Sequence, residues 1–437
     1  MFADPITIIA IVICLFIVLL VIGAPIFAAL GVASFLGMYM QGGMSALLAT
    51  PSILHRGLAS YSLIAIPLFI LMGEVVARTD IGSRIYTLFN VWLNRLPGNL
   101  AAASIGSCAL FGAMSGVSVA GAATIGRFAI PEMLKRGYDP ALAGGSVAAA
   151  GALALLIPPS IGFILYGEIA DLSIGKLFIA ALIPALLVIV LMMIYVCGLT
   201  FLKPHLAPTA SASYGWAEKL DALLRVWPAL VLMVAVIGTI YLGMATPTEA
   251  AGIGAVAALG ISAAQRQLSW ATLKDILRSS ALTSSMILLI LVSALLFGYL
   301  ITRLMIPQML AEWIGSQGFS TWVLFLFILG FLLVIGMCLD IVSVILITTP
   351  ILLPIVIQMG FDPIWFGVIL VIACEMAVIT PPVGLNLYVI KGVVPELTLK
   401  SIMWGAQPFV LVEILAIIIL TIFPALVTWL PSIAMSR

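Results

Sequence analysis

Long apolar runs follow one another along this chain, separated by short polar gaps, and they number about ten. Membrane-spanning strands are short and alternate apolar with polar positions. Runs this long and unalternated predict helical spans. In the first part of the chain the pattern places crossings near 6–22, 25–40, 58–77, 140–173 and 177–201, the fourth interrupted by prolines. The run 100–131 is different. As one unbroken helix it would be about 45 Å long, too long for one ordinary span across a hydrocarbon core of about 30 Å. Gly112, Ser115, Gly116 and Ser118 interrupt its middle, so the pattern predicts a re-entrant helical hairpin. Its irregular tip is tolerated only where protein or water covers it.

The pattern then repeats. Gly137-Tyr138-Asp139-Pro140 leads to Ile157-Pro158-Pro159-Ser160, and Gly360-Phe361-Asp362-Pro363 leads to Thr380-Pro381-Pro382-Val383-Gly384, an offset of 223 at both ends. Pro25 and Pro247, Pro131 and Pro354, and Pro184 and Pro408 align at nearly the same offset. Proline lacks an amide donor and restricts the residue before it, so a Pro-Pro pair breaks a span. The reading is two repeats, 1–208 and 226–437, joined by a polar linker at 209–225 that includes Ser211-Ala212-Ser213. The first holds the hairpin 100–131 and a broken helix 140–173. The second holds a hairpin 321–358, interrupted near Gly336–Asp340, and a broken helix 363–393.

About five crossings plus a hairpin per repeat would turn the second copy upside down. Charge supports this. With the N-terminus outside, only Arg56, Lys176, Arg303 and Arg437 of the 18 Lys and Arg residues lie outside, as the positive-inside rule requires. Segments 78–99 and 265–280, with Trp92, Arg95, Trp270 and Lys274, read as amphipathic helices in the cytoplasmic interface. The first twenty residues lack a basic stretch before their apolar run, which reads as a span rather than a cleaved signal.

Composition narrows the function. Hydrophobic residues make up 64% and charged residues 8%, against about 25% charged in soluble proteins, so the lipid bilayer is the surrounding medium. A net charge of +1 gives no reason to expect a nucleic-acid partner. Five scattered cysteines and two histidines, His55 and His205, form no transition-metal pattern. No GxxxxGK[ST] loop is present, and no Ser/His or paired-Asp centre for an intramembrane hydrolase. The chain reads as a non-enzyme. A plain membrane scaffold would leave the paired unwound elements unexplained, since such pairs mark transporter binding sites.

Candidate chemistry gathers at these breaks. At the first tip, Gly112, Ser115, Gly116 and Ser118 allow carbonyls and hydroxyls to converge, as a hard cation such as Na⁺ requires, or else they serve close helix packing. Breaks at Pro158 and Thr380 free further carbonyls, and Ser160 and Asn386 add side-chain oxygens. Asp340 is the leading single candidate for cation coordination, with capping of a helix as its alternative. Arg127 either reaches the cytoplasmic face or attracts an acidic substrate. Glu375 and Glu413 are costly intramembrane acids, with the lining of an interface with another subunit as their alternative role. Glu74, Glu132, Glu168 and Asp171 read as solvated residues at membrane edges. No series of midspan acids suggests a proton pump, so sodium coupling is favoured.

The runs Gly112-Ala113-Met114-Ser115-Gly116-Val117-Ser118-Val119-Ala120, Ile130-Pro131-Glu132-Met133, Leu156-Ile157-Pro158-Pro159-Ser160, Thr349-Pro350-Ile351-Leu352-Leu353-Pro354 and Thr380-Pro381-Pro382-Val383-Gly384-Leu385-Asn386 resemble the large membrane subunit of TRAP (tripartite ATP-independent periplasmic) transporters, in order and over nearly the whole chain. The resemblance implies an elevator-type fold in a bacterial inner membrane. It implies a separate small four-span membrane subunit and a periplasmic substrate-binding protein as partners, and import of organic acids driven by Na⁺. It places Na⁺ at Gly112, Ser115, Gly116, Ser118 and Pro158, and at Gly336, Asp340, Thr380 and Gly384. Substrate would lie between, near Ser118, Ser160, Arg127, Ser343 and Asn386. The alternative is a self-contained ion-coupled carboxylate symporter of similar fold.

Overall fold

The structure is a computed structural model, and it describes residues 4–208 and 214–434. Ser211–Ser213 of the expected linker, residues 1–3 and Arg437 lie outside the described residues. Helices account for nearly all of the rest. They run α1 Pro5–Val21, α2 Ile26–Leu47, α3 Thr50–Leu58, α4 Ala65–Ala77, α5 Ile81–Trp92, α6 Asn99–Ser115, α7 Ser118–Lys135, α8 Pro140–Ala152, α9 Ile161–Ala170, α10 Ile174–Leu202 and α11 Trp216–Arg225. After these come α12 Trp227–Met233, α13 Thr239–Tyr241, α14 Pro247–Ala264, α15 Trp270–Arg303, α16 Ile306–Ser316, α17 Thr321–Gly336 and α18 Ile341–Gln358. The chain closes with α19 Pro363–Val378, α20 Leu385–Val393, α21 Leu399–Ile422 and α22 Ala425–Ala434.

Among the described residues, six helices are long and apolar enough to cross a membrane, or up to eight if two bent pairs each count as one span. The chain is therefore an all-helical, multi-pass membrane protein. Its outer faces carry exposed Phe35, Ile194, Phe201, Leu326 and Leu415, the residues a lipid-solvated surface calls for. The interior is built differently. Nearly every residue of α6, α8 and α19 is buried. In α6 and α8 these are mostly Ala, Gly and Ser, so neighbouring backbones approach closely. Gly145 of α8 and Gly405 of α21 lie backbone to backbone, and a β-carbon on either would collide with the other helix.

The repeated Gly-x-Asp-Pro motif is helix punctuation. Gly137 and Gly360 hold φ of +78° and +83° just after α7 and α18, a conformation that costs glycine nothing. Asp139 then accepts the amides of Ala141 and Leu142 at 2.9 and 3.0 Å, and Asp362 those of Ile364 and Trp365 at 2.8 and 2.9 Å. Each aspartate caps its helix while the following proline takes the first helical position.

The run 100–131 is folded back on itself as α6 and α7, and 321–358 comprises α17 and α18. The first turn is tighter than the sequence suggests. Gly112 is still helical, and only Gly116 and Val117 lie between the two helices. The run 140–173 breaks after Leu155 and resumes at Ile161, and 363–393 breaks after Val378 and resumes at Leu385. Both Pro-Pro peptide bonds are cis.

Two expectations need correction. Segment 265–280 is no separate interfacial helix. From Trp270 the chain enters α15 and stays helical for 34 residues, about 51 Å, because no glycine or proline interrupts it before Gly298. The short helix that follows a long span here is α16, in the place α5 holds after α4. The corresponding stretch of the first half is bent instead, by 61° between α3 and the helix that follows. The second correction concerns the linker. Its described end is α11, an amphipathic helix packed on α5, with the Trp92 indole donating to the Lys219 carbonyl at 3.1 Å.

Candidate functional site

The first hairpin tip rests on the first break. A β-carbon on Gly112 would stand 2.6 Å from the Ala154 Cα, and one on Gly116 would stand 2.7 Å from the Pro159 carbonyl oxygen. From the other side Gly73 of α4 approaches the Ser115 carbonyl, with 2.8 Å left for a β-carbon. Small residues are needed at all three points. Gly116 is needed twice, because its φ is +60°. Ser115 and Ser160 are wholly buried here, and neither hydroxyl has a hydrogen-bond partner among the described residues. Buried hydroxyls are rarely left unpaired without a reason. Hydroxyls and the carbonyls freed at helix ends are the oxygen donors that a hard cation takes.

The second tip meets the second break at Gly336, where a β-carbon would stand 2.5 Å from the Ala377 β-carbon. This repeats the Gly112–Ala154 contact at offsets of 224 and 223. Asp340 caps α18. Its carboxylate accepts the Ser343 amide at 3.2 Å and the Ser343 hydroxyl at 2.5 Å. The capping role is therefore real, and it occupies Ser343, whose hydroxyl turns to Asp340 rather than to an open space. The Thr380 hydroxyl donates to the Met376 carbonyl at 2.5 Å, and Gly384 starts α20 with φ of +50°. Pro382, Val383 and Leu385 are exposed, whereas Pro158, Pro159 and Ser160 are buried. The second break is open and the first is closed.

Side chains tie the two halves together at one point that sequence spacing does not show. The Asn386 amide donates to the Ser118 hydroxyl at 2.9 Å and to the Ala148 carbonyl at 3.0 Å, and Ser118 lies 3.1 Å from the Asn386 carbonyl oxygen. Asn386 thus belongs with the first tip, not with Gly336–Asp340 as its place in the chain suggests. The helices agree. The resumed helix α20 packs on α7, and α9 packs on α18, so each broken helix sends its second part against the opposite hairpin.

Arg127 stands apart. It is nine residues beyond Ser118 on α7, roughly 13 Å along the axis, and it is exposed. It lines an open cleft of about 650 Å³ with Glu74, Arg78 and Asp275, and the cleft follows α7 up to Ala120, near the tip. Glu74 is engaged by Arg78 and Ser279, Glu132 by Arg136 and Glu168 by Ser60. Glu375 and Glu413 do not line a subunit interface. Both are 0% exposed within this chain. Because α19 is buried on every side, a carboxylate on it has no outward face to use, and the unbroken apolarity of 363–378 was the available signal.

All four discontinuities share one arrangement. Each ends one helix and starts another: α6 and α7, the 140–155 helix and α9, α17 and α18, α19 and α20. A helix C-terminus offers free carbonyls and a partial negative charge, and an N-terminus offers free amides and a partial positive charge. Cation and anion can be bound side by side at such points.

Known proteins share this chain's sequence and fold. The C4-dicarboxylate TRAP transporter large permease protein DctM of Pseudomonas aeruginosa is 35% identical over 404 residues, covering 90% of this chain and 93% of the relative. The isethionate TRAP transporter permease protein DctMQ of Oleidesulfovibrio alaskensis is 35% identical over 94% of this chain and 64% of its own length. The ectoine TRAP transporter large permease protein TeaC of Halomonas elongata is 32% identical over 95% and 97%. In fold the chain is similar to the YdaH transporter of Alcanivorax borkumensis, with a TM-score of 0.61, 17% identity and coverage of 89% and 88%. It is also similar to MtrF of Neisseria gonorrhoeae, with a TM-score of 0.58, 15% identity and coverage of 96% and 94%. Residues 13–426 match the family described as tripartite ATP-independent periplasmic transporter, DctM component. The chain belongs to that family, as a large permease subunit and not an enzyme.

Proposed function

We propose that this subunit imports small organic acids across a bacterial inner membrane, driven by inward Na⁺ movement, with the acid delivered by a periplasmic binding protein and with a small four-span subunit beside it. The observation that carries this reading is the set of four discontinuities, each pairing a helix C-terminus with a helix N-terminus. Na⁺ is held at the hairpin tips and breaks: by Gly112, Ser115, Gly116, Ser118 and Pro158 in the first half, and by Gly336, Asp340, Thr380 and Gly384 in the second. The unpaired Ser115 hydroxyl supports the first of these sites. The acid lies at the amide ends, near Ser118, Ser160 and Asn386. Ser343 acts through Asp340, and Arg127 draws the anion along the cleft beside α7. Relatives named for C4-dicarboxylate and for isethionate support an organic anion as cargo. The halves 1–208 and 226–437 are inverted copies, and their hairpins and broken helices move together past the remaining helices.

The test is uptake of a labelled C4-dicarboxylate into proteoliposomes holding both membrane subunits, with and without the binding protein. Uptake is expected only when the binding protein is present. Equal uptake without it would favour the self-contained symporter.

Asp340 separates charge from capping. Asp340→Asn keeps a capping side chain and removes the charge. It is expected to raise the Na⁺ concentration for half-maximal uptake about tenfold, equivalent to about 1.4 kcal/mol. Unchanged sodium activation in Asp340→Asn would leave Asp340 as a cap alone.

A further inference from the structure

We propose that Glu375 and Glu413 form a buried proton-binding site whose protonation state acts on the first Pro-Pro break. Glu375 lies on α19 and Glu413 on α21, helices that pack together and are pinned where the Trp365 indole donates to the Leu420 carbonyl at 2.9 Å, ten residues before Glu375 and seven after Glu413. Both residues are 0% exposed. One oxygen of Glu375 accepts the Leu156 amide at 3.1 Å, across 219 residues of chain. The other oxygen of Glu375 and both oxygens of Glu413 have no hydrogen-bond partner among the described residues. Three buried carboxyl oxygens are thus without a partner among the described residues, and one of the two carboxyls is bonded to the backbone at the break.

No cation neutralises the pair. The ion pairs of the described residues all lie elsewhere, at Arg78–Glu74, Arg84–Asp80, Arg136–Glu132 and Arg225–Asp221. Within their helical spans α8, α17, α18 and α22 carry no ionisable side chain. On α19 itself the neighbour is Cys374, which is buried. On the other packed helices, α10 brings Lys176, Tyr195 and Cys197, and Tyr195 packs edge-on against Phe409 of α21. From α9 come Tyr166, which donates to the Pro363 carbonyl, and Glu168, held by Ser60. From α20 come Tyr388 and Lys391, whose ammonium is taken by the carbonyls of Pro395 and Leu397. Lys400 starts α21, more than three turns from Glu413.

Two carboxylates buried on packed helices with no cation beside them cannot both stay ionised. Binding of one proton forms an O–H bond on one carboxyl and lets it donate to the other. Loss of that proton leaves two like charges whose only relief is the Leu156 amide. The charge of the pair therefore bears on the backbone that opens into Ile157-Pro158, and through it on the first hairpin tip that rests on this break. The site is independent of whether Na⁺ drives uptake.

Infrared difference spectra of the purified wild-type protein between about pH 6 and about pH 9 test the site without Na⁺, substrate or partners. A protonated-carboxyl C=O band is expected to disappear as pH rises, and Glu413→Gln, which keeps the shape, is expected to remove that change. A band that stays constant, or one that changes identically in Glu413→Gln and Glu375→Gln, overturns the site, and the wild-type spectrum alone decides if neither variant folds. In proteoliposomes, wild-type uptake is expected to fall about tenfold over the same range and to become flat in Glu413→Gln. The same pH profile in the wild type and both variants overturns its part in transport.

Discussion

Gly116→Ala is expected to reduce uptake about a hundredfold, equivalent to about 2.7 kcal/mol on the transport barrier. Two costs coincide at this position. A φ of +60° places an alanine in the left-handed region, at about 1–2 kcal/mol. The new β-carbon would also stand 2.7 Å from the Pro159 carbonyl oxygen. Neither partner can yield without separating the hairpin tip from the broken helix, because Gly73 closes the tip from behind. Gly243 supplies the control. Its φ is +68°, yet nothing lies within 4 Å of its β-carbon position. Gly243→Ala carries the conformational cost alone and should leave uptake nearly unchanged. Wild-type uptake by Gly116→Ala, or equal losses in both variants, would show that the tip–break contact is not part of transport.

Asn386→Ala is expected to lower uptake by about tenfold to a hundredfold. The amide joins the second broken helix to the first hairpin and to α8. Its removal leaves the Ser118 hydroxyl buried and unpaired, at about 1–3 kcal/mol, and takes from the Ala148 carbonyl the bond it receives from outside its helix. Ser118→Ala is milder, because Asn386 keeps its bond to Ala148. The two side chains act as one unit, so Ser118→Ala combined with Asn386→Ala should be no worse than Asn386→Ala alone. Additive losses would mean that the two residues serve different steps.

Much of this arrangement was legible because it depends on local backbone chemistry. Gly-x-Asp-Pro stops one helix and starts the next with no help from elsewhere, and a Pro-Pro pair interrupts a helix wherever it stands. Gly116 marked its turn because few other residues adopt that conformation. What stayed hidden depends on residues far apart in sequence. Ser118 and Asn386 are 268 positions apart, and nothing in the pattern of either segment names the other. Gly73 carries no mark within its own segment, and only the fold brings it against the Ser115 carbonyl. Asp340 reads identically as ligand or cap in sequence, and only the Ser343 bonds reveal the cap. The continuity of α15 was missed for another reason. Polar residues at 272–280 suggested an interface, but polarity alone does not interrupt a helix, and that stretch holds no glycine or proline to kink it.

The most direct measurement of the central claim is accumulation of the acid against its own gradient in ATP-free proteoliposomes containing both membrane subunits and the binding protein. With an inward Na⁺ gradient the acid should accumulate, and a sodium ionophore that dissipates the gradient should collapse the accumulation. Equal accumulation with and without the Na⁺ gradient would contradict sodium-driven transport through these paired breaks.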